Sequence, residues 1–321
     1  MALYAFDGTW NEDRDGTKGD TNVFKFYQAY GRQEGDEQER DETKDDSNLY
    51  IPGIGTRFGW AGKAIGGAFG IGGRWRISQA MKRLEQNADK GDMVVDVVGF
   101  SRGAATAVDF VNRVSEKHGA RLPVRFLGLW DCVASFGVPG NKINIGWHLD
   151  IPTTVDMCYH ALALDEGRLN FPVERLSTPP RGNDANAPGR LFEVWFRGVH
   201  SDVGGGNGNA GLSSITLHWM LRTAQRCGVP IPLGEIDRHA RAMQPGAPVH
   251  KATLDTGVRR RTVRWNDVVH FTVSWRPDHN NPPSNVPVVD DSLSEIGRFQ
   301  GASAAAAFAG PGAIGPTVPH L

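Results

Sequence analysis

One short stretch of the chain constrains the order of its secondary structure more than any other. Residues 92–114 read "DMVVDVVGFSRGAATAVDFVNRV". A β-branched apolar run is followed by a serine between two glycines, and then by an alanine-rich segment whose apolar residues recur at helical spacing. The first run is typical of a buried strand and the last of a helix packed on a core. The sequence therefore predicts a sharp strand-to-helix turn at Ser101.

This turn has the form of a nucleophile elbow. Gly99 and Gly103 flank the serine, and a Cβ at either position would clash with the neighbouring strand and helix. A helix N-terminus favours developing negative charge. The backbone amide of Arg102 would then point toward a tetrahedral oxyanion. In a strand–turn–helix context, Gly-x-Ser-x-Gly is the elbow of α/β hydrolases, which makes Ser101 the candidate nucleophile.

Apolar runs and helical patterns alternate along the whole chain. Strands are predicted at residues 3–6, 48–51, 93–98, 125–130, 192–197 and 268–274, and helices at 76–88, 104–118 and 214–227. This alternation predicts a mostly parallel, α/β-hydrolase-like sheet with helices on both faces. In such sheets the functional residues collect at the C-terminal ends of the strands.

The composition of the chain changes after residue 275. Residues 1–275 are predicted to form one α/β-hydrolase catalytic domain. Residues 276–321 are predicted to be an extended connector and a small-residue C-terminal tail, because they begin rich in proline and asparagine and end in low-complexity sequence. The acid-rich residues 34–46 are predicted to form an exposed loop.

A serine nucleophile needs a base, and the base needs an acid to orient it. Asp131 follows the strand predicted after the elbow helix, and His200 and Asp202 follow the next predicted strand. His270 lies in the last apolar run. Asp131 with His200 and Asp202 with His270 are the main candidate pairings, and mixed pairings of these residues also remain open. Residues two apart on an extended backbone point in opposite directions where the strand continues, which disfavours Asp202 as the partner of His200.

The first predicted strand ends in "FDGTWN", close to the elbow in a parallel sheet. The amide of Gly8 or Thr9 is the natural second donor to the oxyanion, beside that of Arg102. Asp7 either holds this turn by accepting backbone amides or ligates a cation, and the structural role is favoured. No metal site is predicted.

Seven motifs occur in order along the chain: "FDGTWN", "YIPGIGT", "GGAFGIGG", "GDMVVDVVGFSRGAATA", "FLGLWDCVASFG", "HALALDEGRLNF" and "WFRGVHSDVGGG". Together they resemble the uncharacterised α/β-hydrolase family that includes the type VI secretion phospholipase effectors, from about residue 3 to residue 275. The resemblance implies a Ser101–Asp131–His200 triad. Cys132 stands where the resemblance leads us to expect a threonine, which removes a hydroxyl that could bond to the aspartate.

The resemblance also implies an activity and partners. It implies a serine esterase or lipase of phospholipase A type, which cleaves a phospholipid or another acyl ester through an acyl-enzyme and needs no cofactor. It further implies contact with a membrane surface, export by a type VI secretion system, and an immunity protein or a component of the secretion apparatus as partner. A cytosolic housekeeping esterase and a catalytically degenerate hydrolase-fold binding module remain as alternatives.

Charge and cysteine content exclude other classes of protein. The chain has 35 Lys and Arg against 36 Asp and Glu, so no net basic charge points to nucleic acid. The three cysteines are isolated from one another, which predicts neither a disulfide framework nor a thiolate zinc site. The sequence lacks a Sec signal and an apolar run of about 18 residues, so we expect synthesis in the cytoplasm.

Two further segments carry weaker signals. Residues 60–77, "WAGKAIGGAFGIGGRWRI", lack the ending of a Walker loop and are predicted to form an apolar flap beside the acyl site, able to enter a lipid interface. Residues 257–265, "GVRRRTVRW", contain four arginines within six positions. A solvated strand face is the favoured interpretation, and attraction to a phosphate or lipid headgroup is the alternative.

Overall fold

The structure is a computed structural model, and it describes residues 1–8, 20–33, 47–53, 68–134, 149–169, 171–178, 189–250, 260–276 and 279–300. In chain order its elements are β1 (Ala2–Phe6), α1 (Asn22–Ala29), β2 (Leu49–Ile51), α2 (Ala68–Asp89), β3 (Val95–Phe100), α3 (Arg102–His118), β4 (Val124–Trp130), β5 (Val155–Ala163), β6 (Leu191–Phe196), α4 (His200–Gly204), α5 (Ala210–Arg226), α6 (Leu233–Ala242), β7 (Val268–His270), β8 (Pro287–Val289) and β9 (Glu295–Arg298). Two 3₁₀ helices cover Gly119–Arg121 and Phe271–Trp275.

The strands form one sheet in the order β2-β1-β3-β4-β5-β6-β7-β8-β9. Every neighbouring pair is parallel except β8 with β9. Alternate side chains of a strand point to opposite faces, and β1 illustrates this. Leu3 and Ala5 pack with residues of α1 and α5, whereas Tyr4 and Phe6 pack with residues of α2 and α3. Helices thus cover both faces, and the predicted fold class is confirmed.

The predicted elements differ from the observed ones in a few places. The strand expected at 268–274 ends at His270, and a 3₁₀ helix follows it directly. Helices α1, α4 and α6 and strand β5 were not predicted. Strand β5 lies between β4 and β6, so it separates the two strands whose ends carry Asp131 and His200.

The segment after residue 275 also differs from the expected connector. Strands β8 and β9 lie within it, and β8 pairs with β7 of the same sheet. The physical reason is burial, because Val286, Val288 and Phe299 pack in a cluster with Trp195 and Val269. The tail at 301–321 and the acidic loop at 34–46 lie outside the described residues.

Several expectations about the chemistry of the chain can be compared with the described residues. All three cysteines there are free thiols. In the same part of the chain, no helix is both long and apolar enough to cross a bilayer. Nor do the described residues contain a cluster of three or more histidine, cysteine, aspartate or glutamate side chains that could hold a metal ion.

Candidate active site

Ser101 occupies a strained turn at the C-terminal end of β3. Its φ is +59°, a region that residues with a side chain rarely adopt, and it is the N-cap of α3. Its amide donates to the carbonyl oxygen of Trp130 at 3.0 Å, and its own carbonyl accepts from the amide of Val133 at 3.2 Å. These two bonds fix the elbow to the end of β4.

The two glycines of the elbow are required by close backbone contacts. A Cβ on Gly103 would lie 2.2 Å from the carbonyl oxygen of Phe6, and one on Gly99 would lie 2.7 Å from the Cα of Ala104. Both distances are too short for any side chain. The expectation that residues 99 and 103 must be glycine is confirmed.

The structure brings Asp131 and His200 together. Asp131 is the residue after β4, with a φ of +39°, and His200 opens α4 a few residues after β6. The Nδ1 atom of His200 lies 2.6 Å from Oδ2 of Asp131, and both residues are buried. Of the two main pairings that the sequence left open, this is the one with a direct contact between acid and histidine.

Two aromatic rings hold the imidazole of His200 beside the elbow. The centroid of Phe100 lies 4.6 Å from that of His200, and the centroid of Phe171 lies 4.9 Å from it. Phe100 is the residue before Ser101. Gly204 in α4 permits this packing, because a Cβ there would lie 2.0 Å from the Phe100 ring.

Asp131 is held as a carboxylate. Besides His200, it accepts hydrogen bonds from the Arg261 guanidinium and from the amide of Ala163, the latter at 3.0 Å. Burial alone would raise its pKa. The charge of Arg261 and the hydrogen bond from His200 outweigh burial and hold the pKa of Asp131 well below its ordinary value.

His200 is a neutral base in this environment. Burial lowers its pKa, and the nearby charges of Asp131 and Glu166 oppose that effect only in part. Since an ionised carboxylate can only accept hydrogen bonds, Nδ1 of the neutral ring carries the proton toward Asp131. The lone pair is then on Nε2, where a general base needs it.

The loop after β5 supports His200 from another side. Oε2 of Glu166 accepts the backbone amide of His200 at 3.2 Å, and the Glu166 carboxylate pairs with Arg168. The Arg168 guanidinium lies over the Phe171 ring, 3.6 Å from its centroid. Asp165 pairs with Arg197. Ion pairs therefore hold the loop that carries Asp165, Glu166 and Arg168 against His200.

The other predicted pair, Asp202 with His270, is not brought together. Asp202 accepts the amides of Val199 and His250 and the side-chain amide of Asn207, so it organises the loops around α4. The ring nitrogens of His270 contact Thr272 Oγ1 at 2.8 Å and Asp291 Oδ1 at 3.0 Å. Within the described chain, the two make no hydrogen bond to each other.

The predicted oxyanion donors have different positions. Arg102 is the first residue of α3, where backbone amides point out of the helix. The amide of Gly8 instead donates to Asp7 Oδ1 at 2.6 Å, so the expectation for Gly8 is not met in this structure. A carboxylate oxygen beside the amide is the reason. Thr9 and residues 60–67 of the predicted flap lie outside the described residues, whereas residues 68–77 form the first turns of helix α2 instead of a flap.

Asp7 has the structural surroundings that the sequence favoured. The hydroxyls of Thr21 and Tyr50 both donate to its Oδ2 at 2.6 Å, in addition to the Gly8 amide. Arg76 donates to the carbonyl of Asp7 at 2.8 Å. Complete burial raises the pKa of Asp7 to about 6, and its hydrogen bonds limit that rise.

Arg261 is a site residue that the sequence reasoning missed. It lies in "GVRRRTVRW", which was interpreted as a solvated strand face, yet its side chain is buried against Asp131. The flanking residues Arg260 and Arg264 are exposed as expected. Val263, two positions after Arg261, is also buried. That period of two is the signal that could have marked Arg261 as facing inward.

The fold, the serine elbow and the adjacent Asp–His pair define a protein of the α/β-hydrolase-like class. Residues 3–114 and 108–223 match the family model for the type VI secretion system (T6SS) phospholipase effector Tle1-like catalytic domain. These matches cover more than half of the chain. The chain therefore belongs to the Tle1-like family of type VI secretion phospholipase effectors.

Two solved structures resemble the chain at low sequence identity. One is the crystal structure of an uncharacterized protein from Pseudomonas aeruginosa, with a TM-score of 0.46 and 20% identity, covering 77% of this chain and 51% of that one. The other is the Tle1 effector bound to the VgrG spike from the type 6 secretion system, with a TM-score of 0.40 and 23% identity, covering 65% and 51%. The chain thus spans about half the length of both. No match was found among curated proteins.

Proposed function

We propose that this chain is a serine hydrolase that cleaves the acyl esters of phospholipids. Ser101 is the nucleophile, His200 the general base, and Asp131 the acid that orients the base. One observation carries the proposal: the imidazole bonded to Asp131 at 2.6 Å packs against Phe100, the residue before the elbow serine. Membership of the phospholipase effector family supports the substrate class.

Acylation of the enzyme follows from these roles. The Ser101 hydroxyl oxygen attacks the acyl carbonyl carbon while its proton passes to Nε2 of His200. The carbonyl oxygen becomes an oxyanion, which the amide of Arg102 at the start of α3 stabilises. When the tetrahedral intermediate collapses, the ester C–O bond breaks. The leaving alkoxide takes the proton from His200, and the acyl group remains on Ser101.

Deacylation repeats the same proton transfers with water. His200 removes a proton from a water molecule as the water oxygen attacks the acyl carbon. The second intermediate collapses, Ser101 takes back the proton, and a free fatty acid leaves. Throughout the cycle Asp131 remains ionised and stabilises the transient imidazolium, which its depressed pKa supports. This chemistry requires no cofactor.

The biological setting is proposed on the strength of the family. We propose that the protein is made in the cytoplasm and exported by a type VI secretion system, with a component of that apparatus as one partner. Its substrate is then a phospholipid of a target membrane, cleaved at an ester in the manner of a phospholipase A. An immunity protein is the expected partner in the producing cell.

The nucleophile is tested by comparing two serine variants. Ser101→Ala should lower kcat/KM for a short p-nitrophenyl ester by about a thousandfold or more. Ser213→Ala is the matched control, because Ser213 is also buried and its hydroxyl donates to the backbone carbonyls of Asn209 and Ala210 at the start of α5. The control should keep its activity. Wild-type turnover by a folded Ser101→Ala variant would rule out the proposed mechanism.

The substrate is tested on defined phospholipids with the products identified by mass. A free fatty acid and a lysophospholipid are the expected products. Hydrolysis of short esters without hydrolysis of any phospholipid would instead support a housekeeping esterase. A fluorophosphonate probe provides a second test, because it should label Ser101. A chain that takes up no label and hydrolyses nothing would be a binding module.

A further inference from the structure

We propose that Arg261 is a positioning residue of the triad, which fixes the Asp131 carboxylate and tunes the base that this carboxylate orients. The inference rests on the proposed function. Arg261 is buried, and its guanidinium contacts both oxygens of Asp131, with Nη1 2.5 Å from Oδ1 and Nη2 3.1 Å from Oδ2. A two-point contact of this kind fixes the plane of a carboxylate as well as its position.

The remaining contacts of the guanidinium tie it to the walls of the site. Nη1 also donates to the carbonyl of Ala163 at 2.8 Å, and Nη2 to the carbonyl of Phe171 at 2.9 Å. Ala163 donates its own amide to Asp131, and the Phe171 ring packs on His200. Arg261 therefore holds the acid and the aromatic wall of the base in one network.

Each oxygen of the Asp131 carboxylate accepts two hydrogen bonds. Oδ1 accepts from Ala163 and Arg261, and Oδ2 accepts from Arg261 and His200. With Oδ1 fully engaged, Oδ2 is the atom directed at the imidazole. Without Arg261, each oxygen keeps one hydrogen bond, Oδ1 from Ala163 and Oδ2 from His200, so the plane of the carboxylate and the direction of Oδ2 toward Nδ1 are less firmly fixed.

The charge of Arg261 also affects the pKa of His200. Among the described residues, the charged groups that act on His200 include Asp131, Arg261 through that aspartate, and the Glu166–Arg168 pair. Each carboxylate favours the imidazolium form of His200, and each guanidinium opposes it. Removing the Arg261 charge leaves Asp131 uncompensated. His200 would then hold its proton to higher pH than in the wild type.

Arg261 also lies outside the residues that define the family match. The match to the family model ends at residue 223, whereas Arg261 lies in the segment that leads into β7. In this chain, the region beyond the matched domain thus supplies a side chain that contacts the triad acid.

The test compares three arginine variants of the full chain. Arg261→Gln removes both the charge and the paired N–H donors of the guanidinium, whereas Arg261→Lys keeps the charge but not the two-point contact. Arg190→Gln is the matched control, because Arg190 is a buried arginine whose contacts with Ile151, Pro152 and Val155 go to backbone carbonyls. For each variant, kcat, KM, thermal unfolding and the pH profile of kcat/KM are measured on a p-nitrophenyl ester, with the product quantified chromatographically.

Arg261→Gln should lower kcat by about 10- to 100-fold with little change in KM. The acid limb of its pH profile, that is, the pH below which kcat/KM falls, should also lie about one pH unit higher than in the wild type. Arg261→Lys should keep the acid limb of the wild type and lose part of kcat. Arg190→Gln should change thermal unfolding alone. A shift of the acid limb that is specific to loss of charge at position 261 is not expected from a purely structural role.

The inference is overturned if folded Arg261→Gln keeps the wild-type kcat and acid limb, or if its activity only follows its thermal stability, as in the control. Should Arg261→Gln fail to fold, Arg261→Lys tests the inference instead, because a wild-type kcat in that variant would exclude a role for the two-point contact. Ser101→Ala separates the two proposals. If that variant is inert while the position 261 variants behave as wild type, only the role of Arg261 has failed.

Discussion

Replacing Gly103 with alanine tests how tightly the nucleophile elbow is packed against β1. A Cβ on Gly103 would lie 2.2 Å from the carbonyl oxygen of Phe6 and 2.5 Å from that of Asp7. Both oxygens belong to the backbone, so they cannot swing aside as the end of a side chain can. Helix α3 must move away from β1 if the methyl group is to be accommodated, and Ser101 at its N-terminus must move with it.

The size of the effect follows from the overlap. Ordinary contact of a Cβ begins at 3.4 Å, so a displacement of about 1 Å is needed. Overpacking a well-packed site costs about 1–3 kcal/mol. We expect the upper end, about 3 kcal/mol, because β1 is paired with both β2 and β3 and cannot yield. A misplacement of about 1 Å near the reacting atoms lowers kcat/KM by about 100-fold.

Urea unfolding and hydrolysis of a p-nitrophenyl ester measure the two effects separately. Gly297→Ala is the matched control, because nothing lies within 4 Å of a Cβ at that position in β9. Its unfolding free energy should stay within about 0.5 kcal/mol of the wild type, with unchanged kcat. If Gly103→Ala unfolds at the wild-type midpoint and hydrolyses the ester at the wild-type rate, the close approach of α3 to β1 does not govern the site.

Three further predictions concern the charged and buried polar residues at and around the site. In initial-rate measurements, the acid limb of the pH profile of kcat/KM should lie below pH 6.5, the ordinary pKa of histidine, because burial lowers the pKa of His200. An acid limb above pH 6.5 would contradict a neutral imidazole in the free enzyme. His270→Asn should keep kcat within about threefold and lose about 1–3 kcal/mol of stability, because the bond between the imidazole and Asp291 is lost. A loss of activity as large as that of His200→Asn would instead favour the alternative pairing of Asp202 with His270. The pKa of Asp7 is about 6 in the folded state against an ordinary 3.8, so the folded state retains the proton to higher pH than the unfolded state. The unfolding free energy of the wild type, relative to that of Asp7→Asn, should therefore fall by about 1 kcal/mol from pH 5 to pH 7 in urea titrations. A difference that stays constant over this pH range would refute the raised pKa.

The elbow could be predicted from the sequence because everything that specifies it is local. An apolar β-branched run, two glycines and a helical pattern occupy fewer than 25 consecutive residues of the printed sequence. The reason for each glycine is a contact made within the turn or with the adjacent strand β1. The parallel sheet followed in the same way, since strands that alternate with helices leave few other ways to bury both.

Strand β5 could not be recognised because its pattern is interrupted by a buried polar residue. His160 interrupts the apolar part of Val155–Ala163, yet it is completely buried. Its Nδ1 lies 3.0 Å from Oε1 of Glu193, and its Nε2 accepts the backbone amide of Cys132 at 3.0 Å. The partners that make this burial tolerable come from β6 and from the end of β4, and a local pattern contains neither of them.

The choice between the two candidate triads depended on the same kind of distant partner. Asp131 and His200 are 69 residues apart in the chain. The two histidines differ in the carboxylate that each contacts, which is Asp131 for His200 and Asp291 for His270. Asp291 lies in the segment that the sequence predicts to be a connector. Residue types at strand ends predicted the site, but they could not predict the pairing within it.

Arg261 shows most clearly what a charge pattern leaves undetermined. Four arginines close together predict a solvated face, because an unpaired buried guanidinium is prohibitively unfavourable. That argument holds for Arg260 and Arg264, which are exposed. It fails for Arg261 because a carboxylate 130 positions earlier in the chain offers both oxygens to it. The free energy that would expel one buried charge is offset only when the opposite charge is buried with it. Asp131 and Arg261 are therefore best understood as a single requirement of the fold, in which the acid that orients His200 is stably buried because the arginine is buried beside it.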